Sequence, residues 1–174
     1  MKTANQTNPE LRHVAELIKD MDFAMLTTTG YDNALISRPM TALEMDAQGV
    51  LWFFTDLRSS KIEHLRIANL AFTDTGHGTY VSLSGRGELD TDRQRIKRMW
   101  TPFAKPWFPD GPDSPNLALL KFIPDGAEYW DAPSSRMVRA VSELASMVTG
   151  KPVNMGEHGV HSDLSQQASN RVRP

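Results

Sequence analysis

Apolar residues recur along the chain with two periods, and the change from one to the other marks the elements. Leu11, Val14, Ile18 and Met21 fall three or four residues apart with Leu17 beside them, which predicts the buried stripe of a helix. Asn8-Pro9-Glu10 starts it: Asn8 can cap, Pro9 brings a helical φ to the first position, and Glu10 complements the dipole. From Phe23 the texture becomes β-rich. Residues 23–29, 34–43 and 50–55 read as strands, separated by turn residues at Gly30-Tyr31-Asp32-Asn33 and Asp46-Ala47-Gln48-Gly49. Short strands joined by tight turns predict an antiparallel meander.

A second helix is expected over residues 57–67, with Leu57, Ile62 and Leu65 inward and Asp56 as its N-cap. Residues 70–73 and 79–89 follow as strands, the latter interrupted by Gly85 and Gly87, which suggest a bulge or bend. A sheet bent in this way favours closure into a small barrel. Asp90-Thr91-Asp92 opens a further helix with Ile96, Met99, Trp100 and Phe103 as its apolar positions. Five prolines and several aromatics between Pro102 and Pro115 predict an ordered loop that covers something apolar. Residues 117–123 and 127–131 read as two last strands about a turn at Pro124-Asp125-Gly126, and residues 136–148 as a closing helix. Beyond Gly150 the sequence is polar and is expected to be loosely held, so one domain over 8–148 and a tail over 149–174 are expected.

Composition narrows the classes. The chain has 174 residues and a net charge of -2, a balance that speaks against a nucleic-acid partner. Cysteine is absent, which excludes disulfides, thiolate metal sites and cysteine nucleophiles. The first residues are polar and no run is apolar enough to span a bilayer, so a cytoplasmic protein without a membrane partner is expected. The Gly-rich dinucleotide fingerprint, the phosphate loop, the nucleophile elbow and the zincin motif are all missing. His158-Gly159-Val160-His161 has a spacing open to a metal, but it lies in a glycine-containing tail, and no metal site is expected.

The candidate chemistry lies in Ser37-Arg38-Pro39-Met40-Thr41 and in the stretch from Phe53 to Lys61. Arg38 offers a planar fork of donors from a strand, Ser59 and Ser60 add hydroxyls, Lys61 adds a cation, and a helix start would add backbone N–H groups. Together these suggest a site for a phosphorylated ligand; the alternative is that Arg38, Arg58 and Lys61 are solvated surface cations.

Ser37-Arg38-Pro39-Met40, Trp52-Phe53-Phe54-Thr55-Asp56 with Ser59-Ser60-Lys61, Trp107-Phe108-Pro109-Asp110-Gly111-Pro112-Asp113 and Ala127-Glu128-Tyr129-Trp130-Asp131, in this order, resemble the general stress protein branch of the pyridoxamine phosphate oxidase-like flavoproteins. The resemblance runs from about Val14 to Ala145. It implies a mainly β fold with flanking helices, an antiparallel split β-barrel of the FMN-binding type, and a homodimer with FMN at the interface. Carried over, Arg38 and Lys61 hold the flavin phosphate, and Ser60 replaces an arginine of the oxidases proper. Met40, Thr41 and Ala42 run along the isoalloxazine, and Phe54, Thr55 and Tyr80 match positions near the cofactor. Pro39 and Ser59 join the cofactor-binding set, and Trp130 matches the tryptophan that reaches the flavin from the second subunit.

After Trp130 the chain departs from the true oxidases. It has Asp131-Ala132-Pro133-Ser134-Ser135-Arg136 where they carry an arginine- and histidine-bearing grip on substrate phosphate, which speaks against pyridoxamine phosphate oxidation. The resemblance implies an FMN-dependent oxidoreductase for a small molecule; alternatives are a flavin-sensing or flavin-buffering protein and a scaffold that has lost FMN. No catalytic acid or base is singled out. An open flavin face would favour the enzyme, and a face plugged by Trp107 or Phe108 the buffer.

Overall fold

The computed structural model describes residues 1–131, 157–162 and 164. The closing helix expected over 136–148 lies outside them.

Helix α1 (Pro9–Ile18) begins as its sequence dictates, with Asn8 Oδ1 accepting from the Glu10 N–H at 2.8 Å. Its stripe of Leu11, Val14, Ala15 and Ile18 is buried. Strands β2 (Phe23–Thr29), β3 (Leu35–Met45) and β4 (Leu51–Asp56) form the expected antiparallel meander. Strands β5 (Ala68–Asp74), β6 (Thr79–Asp90) and β7 (Leu117–Asp131) complete a closed antiparallel barrel in the order β3-β2-β5-β6-β7-β4, with β3 pairing back to β4. Its interior is filled by Leu26, Phe53, Leu70, Phe72, Leu83 and Phe122 together with the apolar face of α1. No helix among the described residues is long and apolar enough to cross a membrane.

Two strands lie outside the expected set. Lys2–Thr3 form β1, parallel to β3 opposite Glu44 and Met45. Residues 157–162, read from the sequence as part of a loosely held tail, form β8 (Glu157–Ser162), antiparallel to β7. There His158 Nε2 lies 3.1 Å from Glu128 Oε1 and its ring stacks on Trp130 at 5.0 Å, while His161 Nδ1 lies 3.6 Å from Glu10 Oε1. Each histidine thus has a carboxylate neighbour from a segment distant in sequence. Among the described residues no cluster of three ligating side chains forms.

Two expectations are corrected. The α-helix over 57–67 is a 3-10 turn of five residues, Ser60–His64. Tertiary hydrogen bonds hold both ends of the segment: the Leu57 N–H donates to the Asn116 carbonyl at 2.9 Å, and the Leu65 carbonyl accepts from the Gly87 N–H at 2.7 Å. Those bonds and the start of β5 at Ala68 leave no room for the further turns an α-helix needs. Asp56 accordingly caps no α-helix; its Oδ1 accepts from the Arg58 N–H at 2.8 Å.

The turn expected at Pro124-Asp125-Gly126 is likewise absent, because β6 offers β7 an unbroken partner from Asp131 to Leu119. The interruption is a bulge. Ser84 pairs with Gly126 and Gly85 with Pro124, so Asp125 is the extra residue, and its carboxylate accepts from Arg86 at 2.9 Å. Gly85 is required here, since a Cβ would overlap the Ile123 carbonyl oxygen.

A second apolar cluster sits outside the barrel. Helix α2 (Arg93–Met99), capped by Asp92, packs Ile96 with Val50, Trp52, Leu117 and Leu119, and the proline-rich segment adds Ala104 and Phe108. Phe103, expected on the helix, lies instead in a separate 3-10 turn, Pro102–Ala104, and is exposed. The segment is thus the ordered apolar cover its composition predicts, and it faces the strands that carry Met40 and Thr55.

Candidate functional site

A cavity of about 400 Å³ lies between the barrel wall and this cover. Pro39, Met40 and Thr41 of β3 and Phe54 and Thr55 of β4 form one wall, and Phe103, Ala104, Trp107 and Phe108 form the other. Strand β3 carries its own irregularity here: Ala42 pairs with Phe53 and Glu44 with Trp52, which leaves Leu43 as an extra residue lining the cavity. Phe54 anchors the cover, its ring 5.6 Å from Trp100 and 6.4 Å from Phe108.

One end of the cavity is cationic. Lys61 is buried in the turn after β4, and among the described residues its Nζ meets only the Ser59 hydroxyl, at 3.2 Å. Among the described residues no carboxylate lies within ion-pair distance of it. Burial, and secondarily the charge of Arg38, holds its pKa below the ordinary lysine value. Arg38 reaches toward the same turn from β3, with long contacts to Thr28 Oγ1 at 3.4 Å and Ser60 Oγ at 3.5 Å. Neither contact satisfies a guanidinium well. Arg58 points elsewhere: its guanidinium is bound to Asp56 at 2.6 Å, and that partner pulls the Asp56 carboxyl down to about 2.

Asp56 attracts Lys61 from beyond contact distance but is itself bound to Arg58. Two crowded cations with no ion-pair partner among the described residues suit an anion, because a buried ammonium that loses water needs a charged partner to recover the cost. With only a 3-10 turn present, the helix-start contribution to this anion site drops out, and the attraction rests on side chains. Above the cationic end, Thr55 Oγ1 is buried without a hydrogen-bond partner among the described residues. A hydroxyl so placed on a cavity wall fits a ligand with a polar edge.

The structure thus brings Arg38, Pro39, Met40, Thr41, Phe54, Thr55, Ser59, Ser60 and Lys61 to one place. Tyr80 and Trp130 are not part of it; they pair with each other across β6 and β7, each 44% exposed, on the outside of the barrel. Sequence reasoning missed Thr28, Phe23 and Leu43. Thr28 bears no local signal, being one of three consecutive threonines, and Leu43 lines the cavity at a bulge that only strand pairing reveals.

Residues 9–154 match the model of the pyridoxamine 5'-phosphate oxidase like family. The chain belongs to that family. Protein bli-3 of Neurospora crassa is 25% identical over 164 residues, covering 85% of this chain and 77% of that protein. The crystal structure of the general stress FMN/FAD binding protein of Xanthomonas citri is 35% identical, with a TM-score of 0.63 over 74% of this chain and 93% of the other. A structure from Jannaschia sp. CCS1, assigned to general stress protein 26, is 25% identical, with a TM-score of 0.71 over 89% of this chain and 99% of the other. The family assignment and the closed barrel agree with the resemblance carried by the four sequence stretches.

Proposed function

We propose that this protein binds FMN in the cavity between β3, β4 and the proline-rich cover, and that it acts as an FMN-dependent oxidoreductase on a small molecule. The observation that carries the reading is Lys61, a buried cation with no ion-pair partner among the described residues, set near Arg38 on an aromatic-walled cavity. Arg38, Ser59, Ser60 and Lys61 would hold the phosphate, Pro39, Met40, Thr41 and Phe54 would lie along the ring, and Thr55 would meet its polar edge. FMN supplies the electron-transfer chemistry when bound, and the protein orients it and limits water. The similarity to an FMN/FAD binding protein supports the flavin.

Trp130 is exposed on the outer face of the barrel, away from its own chain's cavity, so the same proposal places it against the flavin of a second copy in a homodimer. Phe108 is buried in the cover instead of filling the cavity, and Trp107 is 64% exposed. The space left open favours an enzyme over a flavin store.

Absorbance spectra of the purified protein before and after FMN addition, beside an Arg38→Ala/Lys61→Ala variant, test the reading. Flavin bands that survive gel filtration in the wild type and vanish in the variant are expected. A colourless protein that takes up no FMN overturns it.

A further inference from the structure

The two sides of the cavity differ in chemistry. Only Asp56 and Lys61 of its lining residues are ionisable, and both belong to the end of β4 and the turn after it. The side made by the cover, with Phe103, Ala104, Trp107 and Phe108, has no charged residue in its lining. Of the cations nearby, Lys97 is engaged with Asp113 at 2.7 Å, Arg93 with the Ser114 carbonyl at 2.9 Å and Arg95 with Asp90, while Lys105 is exposed and does not line the cavity.

On this side two large rings stand open. Phe103 is 56% and Trp107 64% exposed, with centroids 5.8 Å apart and planes inclined by 44°. Their backbone is not loose. The Trp107 and Phe108 N–H groups both donate to the Ala104 carbonyl at 3.1 Å, and Ala104 and Phe108 are buried beneath them. The turn therefore presents the two rings from a fixed base, and their hydrated faces gain free energy when covered by an apolar surface. A phosphate or carboxylate brought into the cavity there would lose water without gaining a cation from the lining residues.

We propose that the Phe103–Trp107 side of the cavity binds an uncharged, planar aromatic molecule beside the flavin. The proposal rests on the flavin reading in one respect, that the phosphate of FMN takes up Arg38 and Lys61. It names the substrate class of the site as flat and apolar, and it excludes a phosphate ester such as a vitamin phosphate.

Equilibrium dialysis of FMN-loaded protein against 1-naphthol and against 1-naphthyl phosphate separates the possibilities, because the probes share a ring and differ by a dianion. Wild-type protein is expected to bind 1-naphthol at least ~10-fold more tightly than the phosphate, and a Phe103→Ala/Trp107→Ala variant to lose at least ~10-fold in 1-naphthol affinity while retaining FMN. Both residues are exposed, and retained FMN together with an unchanged circular dichroism spectrum shows that the variant is folded. Equal or tighter binding of the phosphate, absence of 1-naphthol binding, or unchanged binding by the variant overturns the proposal. If the protein takes up no FMN, the flavin reading fails by itself. Dependence of 1-naphthol binding on Phe103 and Trp107 in the flavin-free protein then decides the aromatic site.

Discussion

Arg38 Nη2 on β3 lies 3.5 Å from Ser60 Oγ in the turn after β4, so two segments 22 residues apart meet beside Lys61, which lines the cavity. Lys61, the next residue, is buried there without a carboxylate partner among the described residues. The stability of this corner and its affinity for anions should therefore respond in opposite directions to loss of charge.

Replacing Arg38 or Lys61 by alanine should each weaken FMN binding by about tenfold to a hundredfold, the usual worth of a hydrogen bond to a charged group. Without FMN, Lys61→Met should leave the thermal midpoint unchanged or raised, since a desolvated cation gives way to an apolar chain of similar length. Fluorescence titration and thermal unfolding read the two effects. A Lys61→Met protein that unfolds early and still binds FMN as tightly would show that Lys61 is structural.

The pH dependence has a definite sign. Because burial and Arg38 lower the Lys61 pKa, the folded chain binds fewer protons there than the unfolded chain in the window just below the ordinary lysine value. Stability of the FMN-free protein from this group rises with pH across that window. Phosphate binding needs the cation, so FMN affinity should fall as pH rises through the lowered pKa. Lys61→Arg, which stays charged, should hold its affinity to higher pH. Parallel profiles for the two proteins would remove Lys61 from the phosphate site.

Gly159 of β8 lies opposite Tyr129 of β7, and a Cβ there would overlap the tyrosine ring. Gly159→Ala should displace the strand at a cost of about 1–3 kcal/mol, and the amides of residues 157–162 should exchange faster while those of β2 and β5 keep their protection. Unchanged exchange in β8 would mean that it does not dock on β7.

Phe108 is the buried anchor of the cover, packed with Val50, Trp52 and Leu117. Phe108→Ala should cost about 3 kcal/mol in denaturant unfolding and loosen the cavity wall. Its FMN affinity should fall less than that of Arg38→Ala, since the phosphate contacts remain.

Much of this architecture is written in local pattern. The i, i+3, i+4 stripe of α1, the caps at Asn8 and Asp92, and the alternation in β2 to β4 depend on near neighbours in the chain, and these elements form as read. Arg38 in a strand before a proline and Lys61 after two serines were also visible as a candidate anion site, because residue type and order are enough to suggest that chemistry. Residues 57–67 carry a helical pattern too, yet the Leu57 N–H and the Leu65 carbonyl are claimed by Asn116 and Gly87, partners no local pattern announces. Pro124-Asp125-Gly126 has the composition of a turn and becomes a bulge because β6 runs past it without a break. The depth of Lys61, the orphaned Thr55 hydroxyl and the separation of Trp130 from the cavity were likewise settled by closure of the barrel, which brings together strands distant in sequence. Local periodicity determines which face of a segment is apolar; only the packed structure determines what that face meets, and so which polar groups are left without partners.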